Sequence, residues 1–79
     1  MTKIGEPVQV AMLFRGKDVQ PNAFLWNGHR YGVEQIYLVH KTRFGEVLRW
    51  HFTVATSGGA VAKLTFDTLS LAWQLEEMG

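Results

Sequence analysis

The segment that decides the fold is FLWNGHRY, residues 24–31, in which an Asn-Gly pair stands between the apolar run FLW and the run HRY, which ends in tyrosine. Asn-Gly accepts the two positive φ angles of a type I′ turn, so the segment is predicted to form a β-hairpin with a two-residue loop. That loop places Trp26 opposite His29 and Phe24 opposite Tyr31. The hairpin therefore has one aromatic face, which we expect to point into the core.

A second hairpin is predicted around Ser57-Gly58-Gly59, where a glycine is available for the left-handed position of a three-residue loop. Apolar residues before and after this turn alternate with polar ones, as in strands with one buried face. The loop length fixes which residues of the two strands lie opposite each other. The predicted pairs are Trp50 with Phe66, Phe52 with Leu64 and Val54 with Ala62 inside, and Arg49 with Asp67, His51 with Thr65 and Thr53 with Lys63 outside.

The N-terminal third of the chain predicts two further strands. Apolar residues stand at every second position of the first, which we expect to bury one face. Gly16-Lys17-Asp18 predicts the turn that follows, and Pro21 marks the start of the second strand, because proline is tolerated at strand starts. The alternating residues of the first strand are Val8, Val10, Met12 and Phe14.

The strand after the first hairpin contains a break in phase. Beyond Val33, the apolar residues Ile36 and Leu38 are one position out of step with the alternation before them. A β-bulge inserts one residue and so restores the alternation. We therefore predict a bulge near Glu34 and Gln35 that returns both apolar side chains to the core.

Residues 68–78 allow two interpretations. As a strand after a turn at Thr68 and Leu69, the segment would pair Leu71 with Phe66 and Trp73 with Leu64. As a short helix, it would present a stripe of leucines and a methionine. We favour the strand, which gives the fold class: all-β, a single six-stranded antiparallel meander curled into a small SH3-like or OB-like barrel.

Composition limits the class of protein. The 79 residues are 47% hydrophobic and 19% charged, with a net charge of +1 and no cysteine. These values are typical of one globular domain, and they exclude disulfides and zinc-thiolate sites. No apolar run approaches the ~20 residues of a membrane-spanning helix, and residues 1–5 begin no signal peptide. We expect a cytoplasmic, bacterial-type protein with one domain over residues 1–79.

Three parts of the sequence, residues 24–33, 59–64 and 66–75, resemble an uncharacterised family of short bacterial all-β proteins of unknown function. The family pattern is an aromatic residue, tryptophan, a variable residue, glycine, a basic residue and tyrosine, with a closing Trp-x-Leu. His29 stands where the family has arginine, and no tryptophan follows Ile36. Some relatives are associated with translesion-type DNA polymerases, so the resemblance implies a DNA-related context.

The sequence contains no catalytic motif: it has no His-Glu-x-x-His, phosphate-binding loop, nucleophile elbow or cysteine nucleophile. Glu34 and Glu46 are typical of solvated strand charges. The three histidines, His29, His40 and His51, are spaced eleven residues apart, which matches no standard metal-ligand pattern. We therefore expect a non-enzymatic protein with no metal or other cofactor.

One group of basic and aromatic residues on predicted outer positions forms a candidate binding surface. If Leu38 faces Phe52, Lys41 lies opposite Arg49, and an anion would bridge these like charges. With the tyrosine of the group as a stacking platform, this surface predicts weak binding of single-stranded nucleic acid or another anion. The group consists of Tyr37, Lys41, Arg49, His51 and Lys63.

The alternative function is a protein-protein interaction or self-association module. Four apolar residues occupy nominal outer positions, where they would form an exposed patch. Such a patch would dock a protein partner or a second copy of the chain in a homodimer. The four residues are Leu13, Leu25, Val39 and Val47, and the sequence leaves both function classes open.

Overall fold

A computed structural model describes residues 1–79 as six antiparallel strands joined by tight turns. Each strand pairs with the next, and the last pairs with the first to close a small barrel, which confirms the predicted fold class. None of its elements is a helix that could cross a membrane. The strands are β1 (Thr2–Arg15), β2 (Asp18–Trp26), β3 (His29–Phe44), β4 (Val47–Thr56), β5 (Val61–Asp67) and β6 (Ala72–Met78).

The core lies mainly against β4, β5 and β6. Phe52 is 2% exposed, and its ring centroid lies 5.5 Å from that of Trp73. Every second residue of β4 from Trp50 onward is buried, as the alternation predicted. The core cluster consists of Phe24, Trp50, Phe52, Val54, Ala62, Leu64, Phe66, Trp73 and Leu75.

Both predicted hairpins are confirmed in register and turn geometry. Asn27 and Gly28 have φ angles of 51° and 75°, as a type I′ turn requires, and Trp26 pairs with His29. Gly59 has a φ of 82° in the three-residue turn between β4 and β5. All six pairs predicted across that turn are present.

The C-terminal segment is a strand, so the helical alternative is wrong, and the predicted register is wrong by two residues. β6 begins at Ala72 and pairs Trp73 with Phe66. The turn is longer than predicted because Asp67 Oδ1 accepts hydrogen bonds from the backbone N–H groups of Leu69 (2.8 Å) and Ser70 (3.1 Å). An aspartate that caps its own turn in this way stabilises a four-residue connection.

The first two strands extend further than predicted. The turn between them contains only Gly16 and Lys17, so β2 begins at Asp18, three residues before Pro21. Pro21 is instead buried within β2, beside a register irregularity. Phe14 is 63% exposed, against the predicted burial, because it lies near the tip of the hairpin.

β3 contains the predicted bulge and a second irregularity that was not predicted. The first lies between Val33 and Gln35, and it returns Ile36 to the core. The second lies between Ile36 and Leu38, and it turns Leu38 outward, where it is 54% exposed. The predicted burial of Leu38 is therefore wrong.

The second irregularity also shifts the register between β3 and β4 by one residue. Val39, not Leu38, lies opposite Phe52. Lys41 lies opposite Trp50 rather than Arg49, and His40 rather than Val39 lies opposite His51. Neighbouring residues of a strand point to opposite faces, so Lys41 lies on the other face of the sheet from Arg49.

The barrel wall is open between two of its strands. β3 pairs with β2 only through His29–Gly32, whereas its remaining residues, 33–44, pair only with β4. In β2, residues 18–21 pair only with β1. Two strand edges without partners therefore face each other across this gap, which we call the opening.

Candidate functional site

The structure divides the predicted five-residue surface among three places. Arg49, His51 and Lys63 lie on the outer face of β4 and β5. Lys41 lies in the opening, on the opposite face of the sheet. Tyr37 is 57% exposed at the second irregularity of β3 and lines neither of these surfaces. The five side chains do not form one site.

Both cations of the outer face have acidic partners. Arg49 Nε lies 3.4 Å from Asp67 Oδ2, and Lys63 Nζ lies 3.4 Å from Glu77 Oε2. A phosphate would have to compete with these carboxylates for the same cations. The outer face is therefore a set of neutralised pairs and a weak candidate for binding an anion.

His51 is held by neighbours on its own face of the sheet. Its Nε2 lies 2.7 Å from Thr42 Oγ1, and its Nδ1 lies 3.2 Å from Thr65 Oγ1, while the His40 ring stacks on it at 4.6 Å. Partial burial, and then the charge of His40, hold the pKa of His51 below its ordinary value. Both ring nitrogens of His51 therefore have hydroxyl partners, and no three-residue group of metal-ligand type surrounds it.

The opening forms a cavity of about 500 Å³ between the β1–β2 and β3–β4 hairpins. Apolar side chains from three strands make its floor, and charged or polar side chains lie at its rim. The floor consists of Val19, Ile36, Val39, Trp50 and Phe52, and the rim of Arg15, Asp18, Gln20 and Lys41.

Lys41 is one of three charged residues that line the opening, with Arg15 and Asp18. Its Nζ lies 4.2 Å from the ring centroid of Trp50, which it faces across the β3–β4 pair. This cation–π contact covers the indole and holds the ammonium group at the rim. No carboxylate lies within ion-pair distance of Lys41, in contrast to Arg49 and Lys63.

The two strand edges that border the opening differ in what they offer a ligand. The β2 edge contains Pro21, which has no N–H group to donate. The β3 edge is irregular up to its second bulge, but residues 38–44 follow β4 in unbroken register. Only this part of β3 presents a regular row of backbone donors and acceptors.

The tips of the two long hairpins carry exposed cations and aromatic rings. Phe14 and Phe44 are 63% and 88% exposed. Arg15, Lys17 and Arg43 lie beside them on the same hairpins, and none of the three forms an ion pair. These tips therefore carry three cations outside any ion pair, together with the acids Asp18 and Glu46, at the end of the barrel where the opening lies.

The predicted apolar patch is also divided. Val39, 44% exposed, lines the opening, whereas Leu25, 45% exposed, lines a separate groove with Ala11, Ala23 and Arg30. Leu13 lines neither cavity. The four predicted residues do not form one surface, and only Val39 belongs to the opening.

Sequence reasoning did not find the opening, although a signal for it was present. The turns at residues 16–17, 27–28 and 45–46 leave nine residues for β2 but sixteen for β3. A strand so much longer than its neighbour must lose that neighbour along part of its edge. Turn spacing would thus have indicated an unpaired edge on β3.

Comparisons with protein families, with curated proteins and with solved structures found no match for this chain.

Proposed function

We propose that this protein is a non-catalytic interaction module that binds a protein partner in the opening between β2 and β3. One observation carries the proposal: an unpaired, regular strand edge borders a cavity with an apolar floor. Exposed strand edges are sites of pairing with other chains, and natural proteins usually cover or blunt them. Here the β2 edge lacks a donor at Pro21, whereas every residue of the regular part of β3 has a backbone N–H group.

The shape of the cavity supports a polypeptide ligand. A peptide bound beside a strand edge gains main-chain hydrogen bonds, and pockets for alternate side chains give specificity. The floor residues Val39 and Ile36 would contact such side chains, and burying apolar surface contributes about 25 cal/mol per Å². The opening provides both the edge and the pocket.

A second candidate is weak binding of single-stranded nucleic acid, now at the hairpin tips. Phe14 and Phe44 are exposed rings on which bases would stack, and Arg15, Lys17 and Arg43 are cations without carboxylate partners. This arrangement favours the tips over the outer face predicted from the sequence, whose cations are paired. The interaction module is preferred because it also accounts for the apolar floor.

A selection of random displayed peptides against the full chain tests the proposal. We expect selected peptides to bind wild-type protein and Leu25→Gln equally, and to bind Val39→Gln about fivefold more weakly or worse, because the amide would be buried unpaired against the ligand. Leu25 is the matched control, since the two side chains are almost equally exposed. Failure to select any peptide, or equal binding to both variants, would refute the interaction module.

The nucleic-acid candidate is tested with the same proteins. Labelled single-stranded DNA is titrated at 50 and 200 mM salt, with Arg43→Ala as the variant. Release of about three phosphate counterions predicts a roughly twentyfold loss of affinity over this range, and a smaller loss for the variant. Such a result without any peptide selection would make nucleic-acid binding the better account.

A further inference from the structure

We infer that the partner binds through an extended segment that adds as a strand to residues 38–44 of β3, placing an apolar side chain beside Val39 and an acidic one beside Lys41. The inference rests on the proposed function and deepens it by naming the class of ligand and its register. Its starting point is that these two neighbours differ in chemistry although both line the opening.

The strand that receives the ligand is β3 because its regular edge is long enough. Its register with β4 runs unbroken from Leu38, opposite Thr53, to Phe44, opposite Val47. Along a strand, every second residue directs its N–H and C=O away from the neighbour already paired. Three or four of the seven residues 38–44 therefore offer hydrogen bonds to a short extended peptide. The facing edge of β2 is interrupted by Pro21.

The side chains of the opening determine which peptide fits. Val39 and Lys41 lie on the same face of β3, opposite Phe52 and Trp50. A peptide side chain beside Val39 would enter the apolar floor, so an aliphatic residue fits there. A side chain two positions along would meet the Lys41 ammonium, which has no acidic partner. Opposite charges on neighbouring strands stabilise the pair, so an acidic residue fits at that position.

Other occupants fit the opening less well. Self-pairing of the whole segment 38–44 with a second copy would place Lys41 against Lys41, and like charges directly opposed are destabilising. A nucleic-acid base would find no open aromatic face, since Trp50 and Phe52 are only 8% and 2% exposed. An acidic, apolar peptide fits the floor and gives Lys41 an acidic partner, and Asp18, the carboxylate of the rim, restricts the acidic residue to the position beside Lys41.

The test uses a blocked, labelled peptide of sequence Thr-Ile-Thr-Asp-Thr-Ile-Thr, which has the same alternation in both strand directions. Its affinity is measured by fluorescence anisotropy with full-length wild-type protein and with Lys41→Glu. A second peptide carries lysine in place of aspartate. We expect wild type to prefer the aspartate peptide and Lys41→Glu to prefer the lysine peptide, each by about two- to fivefold.

Two further measurements test strand addition itself. Two peptides are N-methylated at alternate positions, each along a different edge of the extended peptide. One of the two should lose binding, because methylation removes the N–H donors of the edge that pairs with β3. Amide hydrogen exchange should slow at residues 38–44 when peptide is added and should not slow at residues 18–22. Equal binding by all methylated peptides, or no slowing at residues 38–44, would overturn the inference.

The outcomes separate this inference from the proposed function. One outcome is that the binding of selected peptides depends on Val39 without slowed hydrogen exchange at residues 38–44 and without a reversed charge preference in Lys41→Glu. In that case the interaction module stands and the inference fails. If no peptide depends on Val39, both fail. Slowing of exchange at residues 38–44 with protein concentration alone would identify a second copy as the occupant, and slowing with single-stranded DNA alone would identify nucleic acid, each overturning the inference.

Discussion

The barrel has two sides that differ in the lengths of their paired strands. On one side, β4, β5 and β6 pair along most of their lengths, and we call this the matched side. On the other, β3 is much longer than β2, and we call this the mismatched side. β5 pairs along nearly its whole length with β4 on one edge and with β6 on the other. β3 has sixteen residues, of which only four pair with β2. Matched strands bury one face and leave no edge free, whereas the mismatch leaves an apolar cavity and an unpaired edge.

Charges differ between the two sides in the same way. On the matched side, Arg49 and Lys63 each contact a carboxylate. On the mismatched side, Lys41 contacts a tryptophan ring and Arg43 has no ion pair. The matched side satisfies its own charged groups, which supports our proposal that a ligand binds on the mismatched side. Stability measurements should show the same division.

The largest expected contrast is between two phenylalanines. Phe52→Ala should lower the free energy of unfolding by about 3–5 kcal/mol, because it empties the centre of the core. Phe44→Ala should change it by less than about 0.5 kcal/mol, since that ring is 88% exposed. Urea unfolding of both variants measures the difference. A cost above about 1 kcal/mol for Phe44 would mean that the hairpin tip is packed and that the comparison is wrong.

How much of this structure can be predicted from the sequence depends on whether the interactions that determine it are local. The two hairpins around Asn27-Gly28 and Ser57-Gly58-Gly59 were predicted in register, because turn geometry is local. The register of β6 was not predicted correctly, because the length of the β5–β6 turn depends on hydrogen bonds accepted by the Asp67 side chain. A side chain that caps its own turn changes loop length without changing the alternation on either side.

The candidate site was predicted less well for a related reason. The group around Lys41 and Arg49 depended on the register between β3 and β4, and one unpredicted irregularity beside Tyr37 reversed the face of every residue after it. Of the predicted residues, only Lys41 and Val39 belong to the opening, and each came from a different predicted surface. Bulges arise from long-range pairing, so alternation alone does not locate the second one.

The turns give the next contrast. Gly59 and Gly45 have φ angles of 82° and 61°, and a Cβ at either would meet no neighbouring atom. The strain of alanine there should cost about 1 kcal/mol for Gly59→Ala. We expect less than half of that for Gly45→Ala, because the exposed tip opens locally before the barrel unfolds.

Gly58→Ala is the control within the same turn as Gly59, because Gly58 has no positive φ and its Cβ would also meet open space. Thermal melting of the three variants measures the effects. Equal costs for Gly45 and Gly59 would show that the β3–β4 tip unfolds with the barrel as one unit, which would weaken the division between the two sides.

Smaller changes in the free energy of unfolding should distinguish the turn-capping hydrogen bonds of Asp67 from its ion pair with Arg49. Asp67→Ala removes the acceptor of two backbone hydrogen bonds and should lower stability more than Arg49→Ala does. Arg49→Ala removes only an exposed ion pair and should cost about 0.2–0.5 kcal/mol. Chemical denaturation measures both. If Arg49→Ala costs as much as Asp67→Ala, the pair rather than the cap holds this turn.

The smallest effect is the dependence of stability on pH through His51. Its pKa is lowered in the folded protein by partial burial and by the charges of His40 and Arg49, against an opposing contribution from Glu76. At pH values near and below about 6.5, the ordinary pKa of histidine, His51 therefore binds a proton more readily in the unfolded chain than in the folded protein. The contribution of His51 is fully present above that pH and is lost as pH falls from about 6.5 toward the lowered folded pKa.

We expect wild-type protein to be more stable at pH 7.5 than at pH 5.5, and His51→Gln to show a smaller difference between the two. His29→Gln is the control, since that histidine is exposed at the first hairpin turn, away from this cluster. The chosen range avoids Asp67, whose pKa is also lowered, because a carboxylate of that kind titrates at still lower pH. An unchanged pH dependence in His51→Gln would mean that the His51 ring, which stacks on His40 across the β3–β4 pair, is as well solvated as an exposed histidine.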